Sequence, residues 1–510
     1  MNFRFLKTIA CLILVMGCLH ISSIASPVIA LEEPSNIRII YISNMPNVNG
    51  DNEMPSLAKV ATFIEEERAK NPNLIFLHGG DSLAPSILSS LDRGAHIIDL
   101  LNSLNPDLMS ISKREFSYGE DVLIIRSQEA VFPFVSNNLR ELTTGDPYPY
   151  FDPSLMIDVN GVKVGIISST SAAAVTRYSA KNTLFLDMMD STKQTAAKLR
   201  AQGADIIISM YDDKKEGLEA LIEDGHVDIL FETSFYQENA NIPFNPRFLH
   251  HDLRTGYISR LDIQFDPNSE EKVKVISFER VDISNTVEKP ETKDLINSYI
   301  EPLSLLLDME LGHFDTSFNY SRDTVRTGED AFANFIVDVM RDYTKTDIAL
   351  LNGGAIRGAK TFTAGENITR RDIQSALPFR NTVTSIDVTG QEILNAIEHG
   401  VGCMEISSGC GTQLSNMRVV FDSSKPLGER IIEATIGGDP VILDKTYSLT
   451  TTNYIARGGD GFILFKDKLN KTDKPNNTLL WEMVSNYIFQ HKNISPSVEG
   501  RLTNINSEKE

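Results

Sequence analysis

Two glycine-rich segments in the second half of the chain hold side chains suited to binding a small ligand. In the first, Asn352 is followed by Gly353 and Gly354 just beyond a buried apolar run, and Arg357 comes three residues later. Glycine lets the backbone approach a ligand closely, and arginine can hold an oxyanion through two parallel hydrogen bonds. Because ligands bind at the carboxyl ends of strands in α/β sheets, this segment predicts a site for an anionic group.

The second segment places an aromatic ring near a carboxylate. Tyr454 lies six residues before Asp460, which is surrounded by glycines in a Gly-Gly-Asp-Gly run. The ring can stack on a planar base, and the carboxylate can accept hydrogen bonds from sugar hydroxyls. A third segment, Leu377 to Asn381, lies between the other two and by itself predicts only a loop.

Apolar runs and amphipathic stretches alternate through the first half of the chain, which predicts an α/β sandwich. Ile37 to Ile42 is predicted to be a buried strand, and Leu57 to Ala69 a helix with one apolar face. Asn160-Gly161 between two apolar runs predicts a hairpin, because both residues tolerate positive φ. Tyr257 to Phe265 is predicted to be the antiparallel edge strand.

A single helix is predicted to join this half to a second α/β unit. Its apolar residues are spaced for one face between Lys293 and Leu311, and a proline-containing segment precedes it. The second unit is predicted to begin near Thr316, with a helix at Glu329 to Tyr343 and a strand at Asp347 to Leu351. The strand leads directly into the first glycine-rich segment.

The composition disfavours one class of ligand. The chain has 510 residues, with 48 Lys and Arg against 69 Asp and Glu, and a formal net charge of −21. A nucleic-acid backbone would meet a repulsive field, so nucleic acid is not expected as a partner. A small anion is compatible, since a few arginines can reverse the potential inside one pocket. The length predicts two or three domains.

The amino terminus is predicted to be a signal peptide over residues 1–30. Basic residues precede an apolar run, Ile9 to Met16, and small residues follow it. No later stretch is apolar enough to span a membrane. Because of the signal peptide, the protein is expected to be exported, either periplasmic or secreted. A lipid anchor at Cys18 is the less favoured alternative, because the residues before it only loosely resemble a bacterial lipoprotein cleavage site.

Two cysteines remain after removal of this segment, Cys403 and Cys410. They lie close together in a stretch rich in glycine and serine. In an exported protein this spacing predicts a local disulfide, with two unpaired thiols as the alternative.

The segments Asn-Gly-Gly-x-Ile-Arg, Leu-Pro-Phe and Gly-Gly-Asp-Gly-Phe together resemble the substrate-binding domain of the 5'-nucleotidase family, whose exported members include UDP-sugar hydrolases. The similarity covers about residues 316–505. It implies that Arg326, Asn352 and Arg357 contact phosphate or ribose-side oxygens, with Gly354 giving close backbone approach. Tyr454 would stack on the base and Asp460 would hold the ribose hydroxyls. The position of the family's other stacking aromatic aligns with Gly411 in this chain. One of the two aromatic rings that would sandwich the base is therefore expected to be absent.

The family's first domain is a metallophosphatase in which two divalent metals, bridged by an aspartate, generate a hydroxide nucleophile. Of those metal ligands only Asp81 is retained. The first motif has Asn44 and Pro46 in place of its Asp and His, and the third has Lys113 and Arg114 in place of its Asn and His. The later histidine positions offer only Ser234 and Tyr236. One carboxylate cannot hold two divalent ions, and two cations would oppose their entry.

The resemblance implies a four-layer metallophosphatase-like sandwich at residues 31–288, a linker helix at 289–315 and a second α/β domain at 316–505. The expected function is binding of a small nucleotide or nucleoside ligand, or a nucleotide-like phosphorylated ligand, through the second domain, with two-metal phosphatase activity lost and no cofactor. One alternative is an active nucleotidase or nucleotide-sugar hydrolase with a rebuilt site and a divalent metal pair. A single-metal site using His78, Asp81 and Asp212 or Asp213 is a further variant, and a secreted interaction protein is the third hypothesis.

Overall fold

The computed structural model describes residues 33–50, 54–178, 180–213, 215–234, 245–252, 257–468 and 478–506. The predicted signal peptide, Cys18 and Tyr236 lie outside these residues. Within the described ranges, no helix combines the length and the apolar character needed to cross a membrane.

The first domain contains thirteen strands and seven α-helices among its described residues. The strands are β1 (Ser35–Ile42), β2 (Ile75–His78), β3 (Leu108–Ser110), β4 (Phe134–Val135), β5 (Leu139–Glu141), β6 (Leu155–Val159), β7 (Val162–Ser169), β8 (Thr183–Phe185), β9 (Ile206–Tyr211), β10 (Ile229–Ser234), β11 (Phe248–Asp252), β12 (Ile258–Phe265) and β13 (Val273–Val281). The helices are α1 (Leu57–Lys70), α2 (Ile87–Asp92), α3 (Ala95–Leu104), α4 (Glu120–Glu129), α5 (Ala173–Arg177), α6 (Met188–Ala201) and α7 (Ala220–Glu223).

Two sheets pack face to face in this domain, with helices on both outer faces. One sheet has the order β13-β12-β1-β2-β3-β4 and the other β11-β10-β9-β7-β6. Because side chains alternate along a strand, Ile39 and Tyr41 of β1 point between the sheets, while Ile40 and Ile42 point toward α1 and α3. The predicted four-layer arrangement follows from this alternation.

The predicted hairpin is present, since β6 pairs antiparallel with β7 across Asn160 and Gly161. The predicted edge strand is wrong. Ile258–Phe265 pairs with β1 on one side and with β13 on the other, so β13 is the edge of the sheet. Val273 is the single buried residue of β13, whereas five of the eight residues of β12 are buried, as expected for an edge strand beside an interior one.

Helix α8 (Pro290–Leu307) joins the domains and packs on the first one. Ile296 is fully buried among residues of α1 and α3, and the hydroxyl of Tyr299 donates a 2.8 Å hydrogen bond to Asp99. The prediction placed the end of this helix at Leu311, which is wrong. The chain leaves the helix after Leu307 and enters a strand, Glu310–Phe314, whose Leu311 and Phe314 are buried in the core of the second domain.

The second domain also combines strands and helices. Its strands are β14 (Glu310–Phe314), β15 (Phe318–Tyr320), β16 (Ile348–Asn352), β17 (Lys360–Phe362), β18 (Asn367–Thr369), β19 (Val383–Thr389), β20 (Thr412–Ser415), β21 (Met417–Phe421), β22 (Ile431–Ile436), β23 (Asp439–Pro440), β24 (Thr446–Thr452), β25 (Asn493–Ile494) and β26 (Leu502–Asn504). Its helices are α9 (Thr324–Thr327), α10 (Ala331–Thr344), α11 (Arg370–Ala376), α12 (Gly390–Glu405) and α13 (Leu480–His491).

Strand β16 lies inside a four-stranded sheet with the order β19-β24-β16-β20. It runs parallel to β24 and antiparallel to β20, and all five of its residues are buried. Its alternate side chains enter two apolar clusters, one around Phe332 and one around Phe462. Both glycine-rich segments therefore follow directly from the carboxyl ends of neighbouring strands, β16 and β24.

Replacement of Ile296 by alanine is expected to lower the free energy of unfolding by about 2–5 kcal/mol, because it leaves a cavity between α8 and the first domain. Urea denaturation followed by circular dichroism measures the change. Leu305→Ala, on the same helix but 89% exposed, is the matched control and is expected to change stability by less than about 0.5 kcal/mol. Equal losses in the two variants would contradict the packing of α8 described above.

Candidate functional site

A cavity of about 920 Å³ lies between the two domains. We call it the interdomain cavity. The first domain contributes residues around Asn44, Arg114 and Tyr178 to its lining, and the second contributes both glycine-rich segments. This volume is within the usual range for small-ligand sites.

The first segment is held in place by its own backbone. Asn352 ends β16, and the amides of Gly353 and Gly354 donate to the carbonyls of Gly411 and Gly409 at 2.6 and 2.7 Å. A Cβ on Gly353 would lie 2.1 Å from the carbonyl oxygen of Val325, so no larger residue fits there. The close packing keeps Asn352 and Gly354 at the cavity wall.

Asp460 is the centre of a hydrogen-bonded group formed by both segments. Its two carboxylate oxygens accept from the Tyr454 hydroxyl and from Nδ2 of Asn352, each at 2.7 Å. A positive φ of 49° at Asp460 turns the carboxylate toward Asn352. Oδ1 of Asn352 is buried and accepts no hydrogen bond from a described residue. A ligand hydroxyl or amine at this point could donate a hydrogen bond to Oδ1 of Asn352.

Arg326 and Arg357 supply positive charge to the same cavity. Arg326 lies on α9 and is buried, and its Nε has no hydrogen-bond partner among the described residues. Burial and repulsion from Arg322 lower the pKa of Arg326, and burial and repulsion from Arg326 and Arg114 lower that of Arg357. Neither Arg326 nor Arg357 forms an ion pair within the described part of the chain. Two unneutralised guanidinium groups facing one space favour an anionic ligand.

Phe379 is a lining residue that the sequence analysis did not assign. The guanidinium of Arg357 lies over its ring, 4.9 Å from the centroid, and Phe379 lines the interdomain cavity together with Tyr454. No side chain fits at position 411, because a Cβ on Gly411 would lie 2.6 Å from the carbonyl oxygen of Arg326. The cavity nevertheless contains a second aromatic residue, supplied by the Leu-Pro-Phe segment that was interpreted as a plain loop.

Cys403 and Cys410 form a disulfide next to this group. The loop they close contains Gly409, whose carbonyl oxygen accepts from Gly354 and, at 3.3 Å, from Nδ2 of Asn352. Nε2 of His399 donates to the carbonyl oxygen of Asp460 at 2.7 Å. The disulfide loop and α12 therefore support the ligand-facing residues from behind.

Behind the opposite wall, which Asn44 and Arg114 line, Asp81 is buried in a loop fixed by Glu115. The Glu115 carboxylate accepts from the amides of Asp81, Ser82 and Ser112 at 2.9 to 3.0 Å. Asp81 has a positive φ of 61°, and its Oδ1 accepts from the Ser112 hydroxyl. The framework of the site is thus kept by backbone hydrogen bonds to Glu115.

Lys113 and Arg114 surround this carboxylate. Nε of Arg114 lies 3.7 Å from Oδ2 of Asp81, and its Nη1 donates to Oδ1 of Asn44 at 2.6 Å. Nζ of Lys113 donates to the carbonyl oxygen of Asp212. Burial alone would raise the pKa of Asp81, but Lys113, Arg114 and the Ser112 hydrogen bond lower it below its ordinary value. Two side-chain cations thus neutralise the carboxylate that would bridge the metals.

These residues do not fit a pair of divalent metals, nor the single-metal variant. His78 accepts from the Gly80 amide at Nδ1 and lies 3.2 Å from the Ser82 hydroxyl at Nε2, so both ring nitrogens are engaged. Oδ1 and Oδ2 of Asp212 accept from the amides of Ser171 and Lys113. Oδ2 of Asp213 accepts from the Ser171 hydroxyl at 3.1 Å. All three side chains are thus engaged with other groups of the first domain.

Elsewhere in the described residues, one group of three potential ligands lies close enough to share an ion: His399, Cys403 and Cys410. Its two sulfur atoms are joined in the disulfide and are not thiolates. Ser234, the candidate at a later histidine position, has no described side chain.

The lining of the interdomain cavity is strongly cationic. Among the described residues that line it, Asp460 is the single carboxylate. Nine lining residues are cations: Lys113, Arg114, Lys181, Arg322, Arg326, Arg357, Arg371, Arg380 and Arg457. This excess contrasts with the net charge of −21 for the whole chain.

Comparisons with known proteins agree with this architecture. The family model for the 5'-nucleotidase C-terminal domain matches residues 310–467. The chain is 26% identical over 494 residues to a 5'-nucleotidase of Diplobatis ommata, covering 88% of this chain and 84% of that protein. It is 26% identical over 506 residues to a human 5'-nucleotidase, covering 89% and 86%.

Solved structures show the same fold. The structure of a 5'-nucleotidase precursor from Thermus thermophilus superposes with a TM-score of 0.76 at 23% identity, covering 92% of this chain and all of that one. A putative 5'-nucleotidase from Staphylococcus aureus, in complex with α-ketoglutarate, has a TM-score of 0.76 at 19% identity, with 92% and 100% covered. The predicted α/β fold, a metallophosphatase-like domain followed by a second domain, is confirmed.

Replacement of Arg114 by glutamine is expected to lower the free energy of unfolding by about 3 kcal/mol, because it leaves Asp81 buried without one of its two cations. A double-mutant cycle with Asp81→Asn, measured by urea denaturation, is expected to give a coupling energy of about 1–3 kcal/mol at pH 7.

The coupling between Asp81 and Arg114 depends on pH in a defined direction. The folded-state pKa of Asp81 lies below the unfolded value of about 3.9, so the stabilisation is fully present above about pH 4 and is lost as the pH falls through the folded-state pKa. A coupling energy of zero at pH 7 would show that Arg114 does not stabilise the carboxylate.

Proposed function

Because the chain belongs to the 5'-nucleotidase family, we propose that it is an exported protein that binds a nucleotide, or a similar phosphorylated ligand, in the interdomain cavity and has lost two-metal phosphatase activity. The observation that carries this proposal is the contrast between the two walls. The ligand-facing residues of the second domain lie together, while Arg114 and Lys113 surround Asp81 on the first domain.

The second domain has a group suited to each part of a nucleotide. Arg326 and Arg357 would contact the phosphate, because they face the cavity without described ion pairs. Asp460 would accept from the ribose hydroxyls, since a carboxylate has about four lone-pair positions and two are in use. Tyr454 and Phe379 would contact the base, and stacking on such rings contributes about 1–3 kcal/mol per base.

Loss of hydrolysis follows from the lack of a group to activate water. The family chemistry depends on divalent metals to lower the pKa of water from about 15.7 to near 7. Here Arg114 and Lys113 surround Asp81, and like charges oppose a metal ion. Burial raises the pKa of Asp212 to about 7, but its oxygens accept from backbone amides and it does not line the cavity. Asp212 is therefore not placed to act as a general base.

Export is supported by two features of the chain. The first 30 residues have the pattern of a signal peptide. The Cys403–Cys410 disulfide is typical of proteins from oxidising compartments. Relatives that match most of the chain include a snake venom 5'-nucleotidase from Naja atra, 25% identical over 501 residues.

AMP is expected to bind the full-length mature protein in buffer that contains EDTA, because the contacts come from side chains rather than metals. Tyr454→Ala and Asp460→Ala are each expected to weaken binding about ten-fold or more, measured by isothermal titration calorimetry. Tyr343→Ala, an exposed tyrosine of the same domain, is the matched control and is expected to leave affinity unchanged. Absence of binding to AMP, adenosine and UDP-sugars would instead favour a secreted interaction protein.

Metal analysis of the purified protein is expected to show far less than one divalent ion per chain, because the first domain keeps a single carboxylate of the family's ligand set. No turnover of a nucleotide panel is expected with Mn²⁺, Zn²⁺, Co²⁺ or Mg²⁺. About two bound ions per chain, or turnover that disappears in Asp81→Ala, would support the alternative of an active nucleotidase or nucleotide-sugar hydrolase.

A further inference from the structure

The positive charge of the interdomain cavity exceeds what the second domain alone supplies. Arg114, Lys113 and Lys181 line it from the first domain, opposite the arginines of the second. Nine cations line the cavity against the single described carboxylate of Asp460, and Arg326 and Arg357 form no ion pair among the described residues, so a bound anion would reduce the repulsion within this group. The excess therefore points to a ligand group that is contacted from both sides.

Arg114 and Arg357 line the same cavity from different domains. After burial and Arg326, repulsion from Arg114 is the next cause that lowers the pKa of Arg357. Tyr178 of the first domain also lines the cavity, and it favours the charged form of both guanidinium groups. A single phosphoryl group between Arg114 and Arg357 would thus neutralise charge on two domains at once.

Arg114 is also fixed in one position before any ligand arrives. Its Nη1 donates to Asn44 at 2.6 Å, and its Nε lies 3.7 Å from Asp81. Asn44 itself has a positive φ of 55°, and its amide donates to the Gly80 carbonyl at 2.9 Å, which fixes its backbone. A guanidinium held in this way loses little side-chain entropy on binding an anion.

We propose that Arg114, Arg326 and Arg357 form a two-domain anion clamp, in which Arg114 binds a phosphoryl group from the first domain while Arg326 and Arg357 bind it from the second. The clamp gives the first domain a direct contact with the phosphate that does not require metal ions. Its ligand class is a compound with a dianionic phosphoryl or a pyrophosphoryl group. No bond is made or broken. The phosphate contacts of Arg326 and Arg357 rest on the proposed function, and the contact from Arg114 goes beyond it.

Calorimetric titration of the full-length mature protein in EDTA tests the clamp with four probes: inorganic phosphate, pyrophosphate, AMP and adenosine. Pyrophosphate and AMP are expected to bind. Arg114→Gln is expected to weaken both about ten-fold or more, because it removes a charged hydrogen-bond donor, and to leave adenosine binding within about two-fold.

The matched control is Arg371→Gln. Arg371 also lines the cavity, but its Nε pairs with Asp308 at 2.6 Å and it is not part of the clamp. Its loss is expected to change pyrophosphate affinity by less than about three-fold. Equal weakening by Arg114→Gln and Arg371→Gln would overturn the clamp, because only the overall charge of the cavity would then matter.

Two further outcomes separate the clamp from the proposed function. Binding of adenosine without pyrophosphate would overturn the clamp and leave a nucleoside site. Binding of pyrophosphate that is sensitive to Arg114, without binding of AMP or adenosine, would support the clamp and overturn nucleotide binding. If Arg114→Gln fails to fold, Asp81→Asn combined with Arg114→Gln removes the buried pair together and is expected to show the same loss of pyrophosphate affinity.

Discussion

The compensation of Asp81 is the interaction on which the first domain's half of the site depends. A buried carboxylate is costly unless positive charge or hydrogen bonds surround it. In this chain the positive charge comes from Lys113 and Arg114, and the hydrogen bond from Ser112. Because these side chains are covalently part of the chain, the Asp81 carboxylate is compensated without any bound ion. The same compensation places Arg114 at the wall of the interdomain cavity.

In the second domain, the ligand-facing groups are held in position without filling the cavity. Gly353 and Gly354 allow the β16 segment to pack directly on the loop closed by the disulfide. Asp460 is held by Tyr454 and Asn352, so three potential ligand contacts form one connected group. Both domains thus contribute cations to one space, and the second domain adds a polar and aromatic surface.

Much of this could be predicted from the sequence, because the signals are local. Buried strands such as β1 and the hairpin at Asn160 and Gly161 depend on periodicity and turn chemistry, which neighbouring residues encode. The edge position of β13 and the early end of α8 depend on which element lies alongside, and no local pattern contains that information. Phe379 was missed for the same reason, since a loop residue becomes a cavity wall only when both domains are in place. The motif signal was present, but the resemblance assigned the stacking position to Gly411 instead.

The disulfide makes the support of the ligand site depend on the redox state of the compartment. Gly409 lies inside the loop closed by Cys403 and Cys410, and its carbonyl oxygen accepts the hydrogen bonds that hold Gly354 and Asn352. Thiols stay reduced in the cytosol and pair in oxidising compartments. In an oxidising compartment the loop that holds Gly354 and Asn352 is therefore closed covalently, whereas with reduced thiols the Gly409 carbonyl would lie on an unclosed loop.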